Sequence, residues 1–280
     1  MKNSLLLLFA AFLAISCTEW KDDIYMKDSE PVNANMGGAV DANGQLYNMS
    51  FDFWTKDGNY DVCYGADASE EQKRVWGSAN ASTAMLGKHT CIPDSTFLAV
   101  PGKGKRAVVL KTQLINALIV KKLAAGCMFT GQMGRVNISK FNASLKWGIP
   151  FSLRPKALEG YACYKPVAVD VANDSFQDRI GTTDSAHVFV LLTDWDEQFT
   201  VDPAENSFVD IDNDPKIIGY GKVGFNHIMD DYEKFTIDIE YRNDRTPGYV
   251  VILASSSALG DYFTGGNGST LYLDEFKFLY

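Results

Sequence analysis

Residues 235–241 alternate without interruption: Phe235, Ile237, Ile239 and Tyr241 are apolar, while Thr236, Asp238 and Glu240 are polar. A period of two places all four apolar side chains on one face of an extended chain, so this stretch predicts a half-buried β-strand. Val250 to Ala254 is apolar throughout, the pattern of a strand buried on both faces. Between them, Asp244-Arg245-Thr246-Pro247-Gly248 is a turn in which Pro fixes φ and Gly permits a positive φ. Similar short apolar runs recur at Ala107–Lys111, Trp147–Leu153, His187–Leu192, Lys216–Val223 and Ser269–Tyr280, separated by Gly- and Asp-rich turns. Many short strands with frequent turns and no alternating β-α pattern predict an all-β chain, an antiparallel β-sandwich of jelly-roll type.

Three segments leave alternatives open. In the last strand Leu271 and Leu273 share one face, and Phe276, Phe278 and Tyr280 share the other. Either both faces are buried or a bulge at Asp274-Glu275 shifts the register. Thr112–Ala125 has a helical period but is rich in β-branched residues, and Ser69–Trp76 has the spacing of one or two helical turns. Gly265-Gly266-Asn267-Gly268 precedes a strand rather than a helix, so it reads as a hairpin turn and not a phosphate cradle.

The N-terminus has a separate logic. Lys2 is followed by an apolar run, Leu5 to Phe12, too short to span a bilayer, and then by Leu13-Ala14-Ile15-Ser16-Cys17. A small residue directly before Cys resembles the bacterial lipobox, with Ala14 where that pattern more often has Leu. The resemblance implies cleavage before Cys17 and lipidation of its thiol. The acidic stretch that follows, Glu19 to Asp23, looks like the surface-export signal of Bacteroidetes lipoproteins. Residues 17–45 mix charge, Pro, Asn and Gly with almost no apolar period and read as a flexible tether. The expected organisation is therefore a lipoprotein signal peptide over 1–16, a tether over 17–45 and one sandwich domain over 46–280. The protein would be lipid-anchored in the outer membrane and face the cell surface.

Charge and cysteine content narrow the function. A formal net charge of −9 argues against nucleic acid, whose binders carry a basic stripe; Lys103-Gly104-Lys105-Arg106 is too small to supply one. With Cys17 lipidated, Cys63, Cys91, Cys127 and Cys163 remain, and they are compatible both with buried small hydrophobes and with disulfides in an oxidising compartment.

The residues 251–276, from Val251 through Ser255-Ser256-Ser257, Gly265-Gly266-Asn267-Gly268 and Leu271-Tyr272-Leu273-Asp274-Glu275-Phe276, resemble the C-terminus of the putative carbohydrate metabolism domain family of Bacteroidetes lipoproteins. Trp76-Gly77-Ser78-Ala79-Asn80, Ala124–Gly131, Gly148–Pro155 with Gly160-Tyr161 and Tyr164-Lys165-Pro166, and Ile217–Gly221 fit the same family in order. The resemblance covers about residues 50–280 and implies a jelly-roll sandwich similar to carbohydrate-binding modules. It implies little about activity.

A glycan site needs an exposed ring for the apolar faces of sugars and a few hydrogen-bonding groups. Trp76 and Asn80 lie in a polar loop, Trp147 precedes Gly148, Arg154 and Tyr161 follow, and Trp195 ends an apolar strand. These six are the expected ligand-binding residues, each with the plainer alternative of a core or rim position; Trp54 reads as core. The carboxylate neighbours Asp194/Asp196, Asp230/Asp231 and Asp274/Glu275 are not ready catalytic pairs, because adjacent strand residues point to opposite faces. His89, His187 and His227 are far apart in sequence and read as structural. Asp210-Ile211-Asp212-Asn213-Asp214 opens like a calcium loop, but Pro215 and Gly221 stand where an EF-hand requires Gly and Glu. An EF-hand is excluded. A structural calcium ion at Asp210, Asp212, Asp214 or Asp274 is a weak candidate beside a plain polar turn, and no other cofactor is expected. The expected function is non-catalytic binding of a glycan or polysaccharide; the alternatives are a glycoside hydrolase or lyase, and a structural or adhesive surface protein without a small ligand.

Overall fold

The computed structural model describes residues 23–24, 38–117, 120–137 and 142–280. The signal segment and Cys17 lie outside the described residues. Among those described, no helix is long and apolar enough to cross a membrane.

Eight strands build the frame: Ala107–Lys111, Cys127–Asn137, Ala157–Lys165, Ala186–Thr193, Ile217–Phe225, Glu233–Asp238, Tyr249–Ser255 and Thr270–Leu279. In space, the sixth, third, eighth and first form one sheet, extended at its edge by Cys91–Asp94. The second, seventh, fourth and fifth form the other, extended by Asn142–Trp147 and Phe199–Val201 at one edge and Glu240–Tyr241 at the other. All of these pairings are antiparallel. Successive strands of the eight cross between the sheets except the fourth and fifth, which pair within the larger one; this is the order of a jelly roll, as the sequence predicts.

The two sheets pack face to face. Leu158, Ala162, Tyr164, Phe235, Ile237, Leu271 and Leu273 from the smaller sheet meet Val188, Val190, Leu192, Val250, Ile252 and Ala254 from the larger. Ala39, within the segment read as tether, is buried in the same core. The larger sheet carries a second apolar layer on its other face, where Phe129, Phe189, Leu191, Val251 and Leu253 pack with Trp147, Trp195, Val201 and Ile217. Val250–Ala254 is therefore buried on both sides, as its unbroken apolar run requires.

The open alternatives resolve physically. Glu275 adopts φ 51°, and the pairing with Ala157–Lys165 shifts register between Glu159 and Tyr161. The bulge rotates the strand so that Leu271, Leu273, Phe276 and Phe278 all enter the core. Gly160 faces this bulge, and a Cβ there would come within 2.5 Å of Phe276 Cδ1 and 2.8 Å of Phe235 Cζ. Thr112–Ala125 forms a hairpin, Gln113–Ala117 paired with Val120–Ala124, so its β-branched content prevails over its helical period. Ser69–Trp76 supplies only a 3₁₀ turn, Gln72–Arg74. Cys63, Cys91, Cys127 and Cys163 are free thiols; burial pushes Cys127 up to about 12, far from a reactive thiolate.

Two outcomes are expected. Gly160→Val forces an isopropyl group into the Phe276–Phe235 contact and should cost about 1–3 kcal/mol or more in urea unfolding. His187, on the outer face of the larger sheet, is pushed down to about 3 by burial, with a smaller contribution from Lys222. The unfolded chain then binds a proton below pH 6.5 that the folded chain refuses until about pH 3. Stability contributed by neutral His187 is complete above the unfolded value and declines as the solution is acidified through that window. His187→Gln should flatten the acid limb of the stability–pH curve, and an unchanged limb would contradict this origin.

Candidate functional site

The six expected ligand-binding residues occupy separate places. Trp76 opens the short strand Trp76–Ser78, paired with Cys127–Asn137, and is 5% exposed; its Nε1 donates to the Tyr47 carbonyl at 2.8 Å. Asn80 is fully buried, accepting from the Thr90 and Cys91 amides at 3.0 Å each and donating to the Asp61 and Cys91 carbonyls, so it clamps the short helix Asn80–Thr83 to the sheet edge. Trp147 packs edge-on to Phe189 with ring centroids 5.8 Å apart, and Trp195 donates from Nε1 to Asp214 Oδ2 at 2.9 Å; both belong to the second apolar layer. Arg154 stacks 4.0 Å from the Tyr241 ring centroid and donates to the Asn243 and Arg245 carbonyls, holding the turn before Tyr249–Ser255. Tyr161 is half-buried in the smaller sheet, between Lys234 and Asp274 on the neighbouring strands. Of the two pockets described next, Trp76 lines one and the other five line neither.

The acidic candidates are engaged locally. Asp210 accepts from Asn213, and Asp214 accepts from Trp195 and from the Lys216 amide. Asp274 is buried and accepts from the Ala99 amide at 2.9 Å; burial pushes its carboxyl up to about 6. Asp194 pairs with Arg245, Asp196 with Lys216 and Glu275 with Lys103. Among the described residues, no group of three His, Cys, Asp or Glu side chains is placed to hold a metal ion.

The pocket that Trp76 lines has a volume of about 130 Å³. Trp54, Tyr60 and Tyr64 complete an aromatic wall, and Lys73, Ser78 and Gln132 supply polar groups. The hairpin Thr55–Asp57/Tyr60–Val62 presents Tyr60, whose hydroxyl donates to Asp57 Oδ2 at 2.8 Å. Trp54 Nε1 donates to the Phe51 carbonyl at 2.6 Å, which fixes the indole plane. Lys73 Nζ lies 2.6 Å from Glu70 Oε1. Gln132 Nε2 is buried without a hydrogen-bond partner. A ring-walled pocket with polar side chains in its lining suits a ligand with apolar C–H faces and hydroxyl oxygens. Tyr60, Tyr64, Lys73 and Gln132 were not among the residues expected from the sequence. The Tyr60-x-Val62-x-Tyr64 alternation, which directs these side chains to one face, is the signal that could have found the two tyrosines.

A larger cavity of about 310 Å³ opens on the outer face of the larger sheet. Its walls are mainly aliphatic, from the turn Ala84–Leu86, the hairpin Gln113–Ala124, and Leu145 and Leu253 of the sheet. Asp261, His187, Lys122, Ser255 and Ser257 also line it. The Lys122 ammonium lies 4.1 Å from the Phe263 ring centroid, and burial lowers its pKa. Surrounding protein likewise pushes the Asp261 carboxyl above its usual range. Glycoside hydrolysis uses two carboxyl groups roughly 5–9.5 Å apart across a cleft. Among the described residues, this cavity is lined by one carboxylate, Asp261, and the aromatic pocket by none.

Comparison with known proteins gives the architecture a lineage. The chain is similar to the crystal structure of a putative glycoside hydrolase from Bacteroides thetaiotaomicron VPI-5482, with a TM-score of 0.62 and 21% identity over 83% of this chain and 70% of that one. It is equally similar to that of a putative glycoside hydrolase from Bacteroides vulgatus ATCC 8482, with a TM-score of 0.62 and 21% identity over 82% of this chain and 96% of that one. At this identity the likeness establishes a shared fold. No curated protein matches the chain significantly. Residues 50–279 match the family described as putative carbohydrate metabolism domain, which takes in both sheets and both pockets. The chain belongs to that family and carries a carbohydrate-related β-sandwich domain.

Proposed function

We propose that this protein is a surface-anchored lipoprotein whose sandwich binds a glycan without cleaving it, in the pocket walled by Trp54, Tyr60, Tyr64 and Trp76. The observation that carries this reading is the four-ring wall of Trp54, Tyr60, Tyr64 and Trp76, with Lys73, Ser78 and Gln132 beside it. Tyr60 and Tyr64 offer ring surface, while Trp76 and Trp54 form the floor, each tethered by its indole nitrogen. Asn80 acts beneath the site by fixing the sheet edge on which Trp76 sits. A site without a facing carboxylate pair favours capture over hydrolysis. Anchoring through lipidated Cys17 would place many copies on one surface, so that avidity offsets weak single-site affinity.

Screening the protein on a glycan array, with reducing-sugar release assayed on each hit, tests the reading. Binding without release is expected, and Tyr60→Ala and Gln132→Ala should each weaken it by about tenfold or more, the equivalent of roughly 1.4 kcal/mol. Release by the wild type would move the assignment to a glycoside hydrolase, the alternative that the two Bacteroides structures bring forward by name. Loss of binding in Arg154→Ala as large as in Tyr60→Ala would move the site to the Arg154–Tyr241 surface. No binding from a folded sample would leave a structural or adhesive role. The anchor is tested separately: Cys17→Ser should abolish incorporation of labelled palmitate and release the protein from the membrane fraction.

A further inference from the structure

We infer that the 310 Å³ cavity is a second binding site, distinct from the aromatic pocket, for a small aliphatic amine: an alkyl chain ending in a protonated nitrogen. Its volume falls at the lower end of the roughly 300–1,000 Å³ range of small-molecule sites. The walls from Met85, Leu86, Ile115, Leu123, Leu145 and Leu253 are aliphatic, so they complement an alkyl chain rather than the hydroxyl rim of a sugar. Met85 and Leu86 remain 52% and 40% exposed, leaving apolar surface for a ligand to cover.

Charge selects the head group. Lys122 and Asp261 are oppositely charged side chains on this wall, but only one of them is engaged by its surroundings. The Lys122 ammonium lies over the Phe263 ring, a favourable cation–π arrangement. Asp261 sits in the turn Gly260–Tyr262 and, among the described residues, makes no hydrogen bond or ion pair. Asp261 is exposed and lines the cavity, so its carboxylate is open to a cation seated against the aliphatic walls, and the adjacent protein strengthens that attraction beyond its value in open water. His187 and Ser255, paired across the strands, add polar groups to the lining beside Leu253. An alkylammonium suits both the aliphatic walls and Asp261, an alcohol of equal length suits the walls alone, and a carboxylate meets Asp261 as a like charge.

Calorimetric titration of the full chain at neutral pH with n-hexylamine, 1-hexanol and hexanoate tests this. Hexylammonium should bind about tenfold or more tightly than hexanol, and hexanoate more weakly than either. Asp261→Asn, a substitution in an exposed turn, should reduce hexylammonium to the level of hexanol and leave hexanol unchanged. Equal affinity for amine and alcohol, preference for hexanoate, an Asp261→Asn protein that retains the discrimination, or no binding at all would each overturn the assignment. Glycan binding in the aromatic pocket should be unchanged by Asp261→Asn, so the two sites fail or stand independently.

Discussion

Burial of the larger sheet on both faces is the constraint on which the rest of this molecule depends. Tyr249–Ser255 and Ala186–Thr193 run through its centre, and each sends alternate side chains into two different apolar layers. One layer is the sandwich interior. The other is covered by the edge strand Phe199–Val201 and the chain after it, where Phe199, Phe208, Val209 and Ile211 pack around Trp195 and Ile217. The cover is partial. Where it ends, near His187, Leu145, Leu253 and Ser255, the sheet surface becomes the floor of the aliphatic cavity. A buried two-sided sheet thus creates both the stability of the frame and the concave surface on its outside.

The aromatic pocket has a different origin. It forms where Trp76–Ser78 is added to the edge of Cys127–Asn137, so an irregular N-terminal segment meets a regular strand. Edge positions are where a jelly roll can vary without disturbing its eight-strand order. Asn80 and the two indole nitrogens tie that irregular segment to backbone carbonyls and amides. The pocket walls are in this way held by hydrogen bonds rather than by sheet pairing, and the ring faces keep fixed orientations suited to a rigid ligand. The two concavities differ in chemistry because different chain segments complete them: rings from the Trp54–Tyr64 region in one, aliphatic side chains from the Gln113–Ala124 hairpin and the Ala84–Leu86 turn in the other.

Membership in a carbohydrate-related family places the protein in a functional neighbourhood, and likeness to two Bacteroides structures shows that it shares their fold. Within that neighbourhood the local chemistry discriminates. The neighbouring acidic side chains Asp194, Asp196 and Glu275 are held by Arg245, Lys216 and Lys103, and Asp210 and Asp214 accept hydrogen bonds from their own turn. Carboxylates held in this way serve the fold, whereas Asp261, among the described residues, makes no hydrogen bond or ion pair and lines the aliphatic cavity exposed.

The sequence by itself determined the fold class, because apolar periodicity is a local property. The Phe235–Tyr241 alternation, the unbroken Val250–Ala254 run and the Pro247-Gly248 turn each act through their own backbone. It also narrowed the last strand to two arrangements, of which a bulge at Glu275 is the one adopted. Two of the longest strands escaped it: Cys127–Asn137 is interrupted by Gly131 and Gly134, and Ala157–Lys165 turns the small residues Gly160 and Ala162 inward. Those glycines are explained only by neighbours distant in sequence, such as Phe276 against Gly160 and the Lys146 carbonyl against Gly131. The site divides in the same way. Trp76, Trp147 and Trp195 share one local signature, an aromatic beside polar or small residues, and all three are buried: Trp76 in a strand beneath the aromatic pocket, the other two under the cover of the larger sheet. Whether a ring faces a pocket or a core depends on what packs over it. Only the tertiary structure decided that, by bringing Tyr60, Lys73, Trp76 and Gln132 together from three separate stretches of chain.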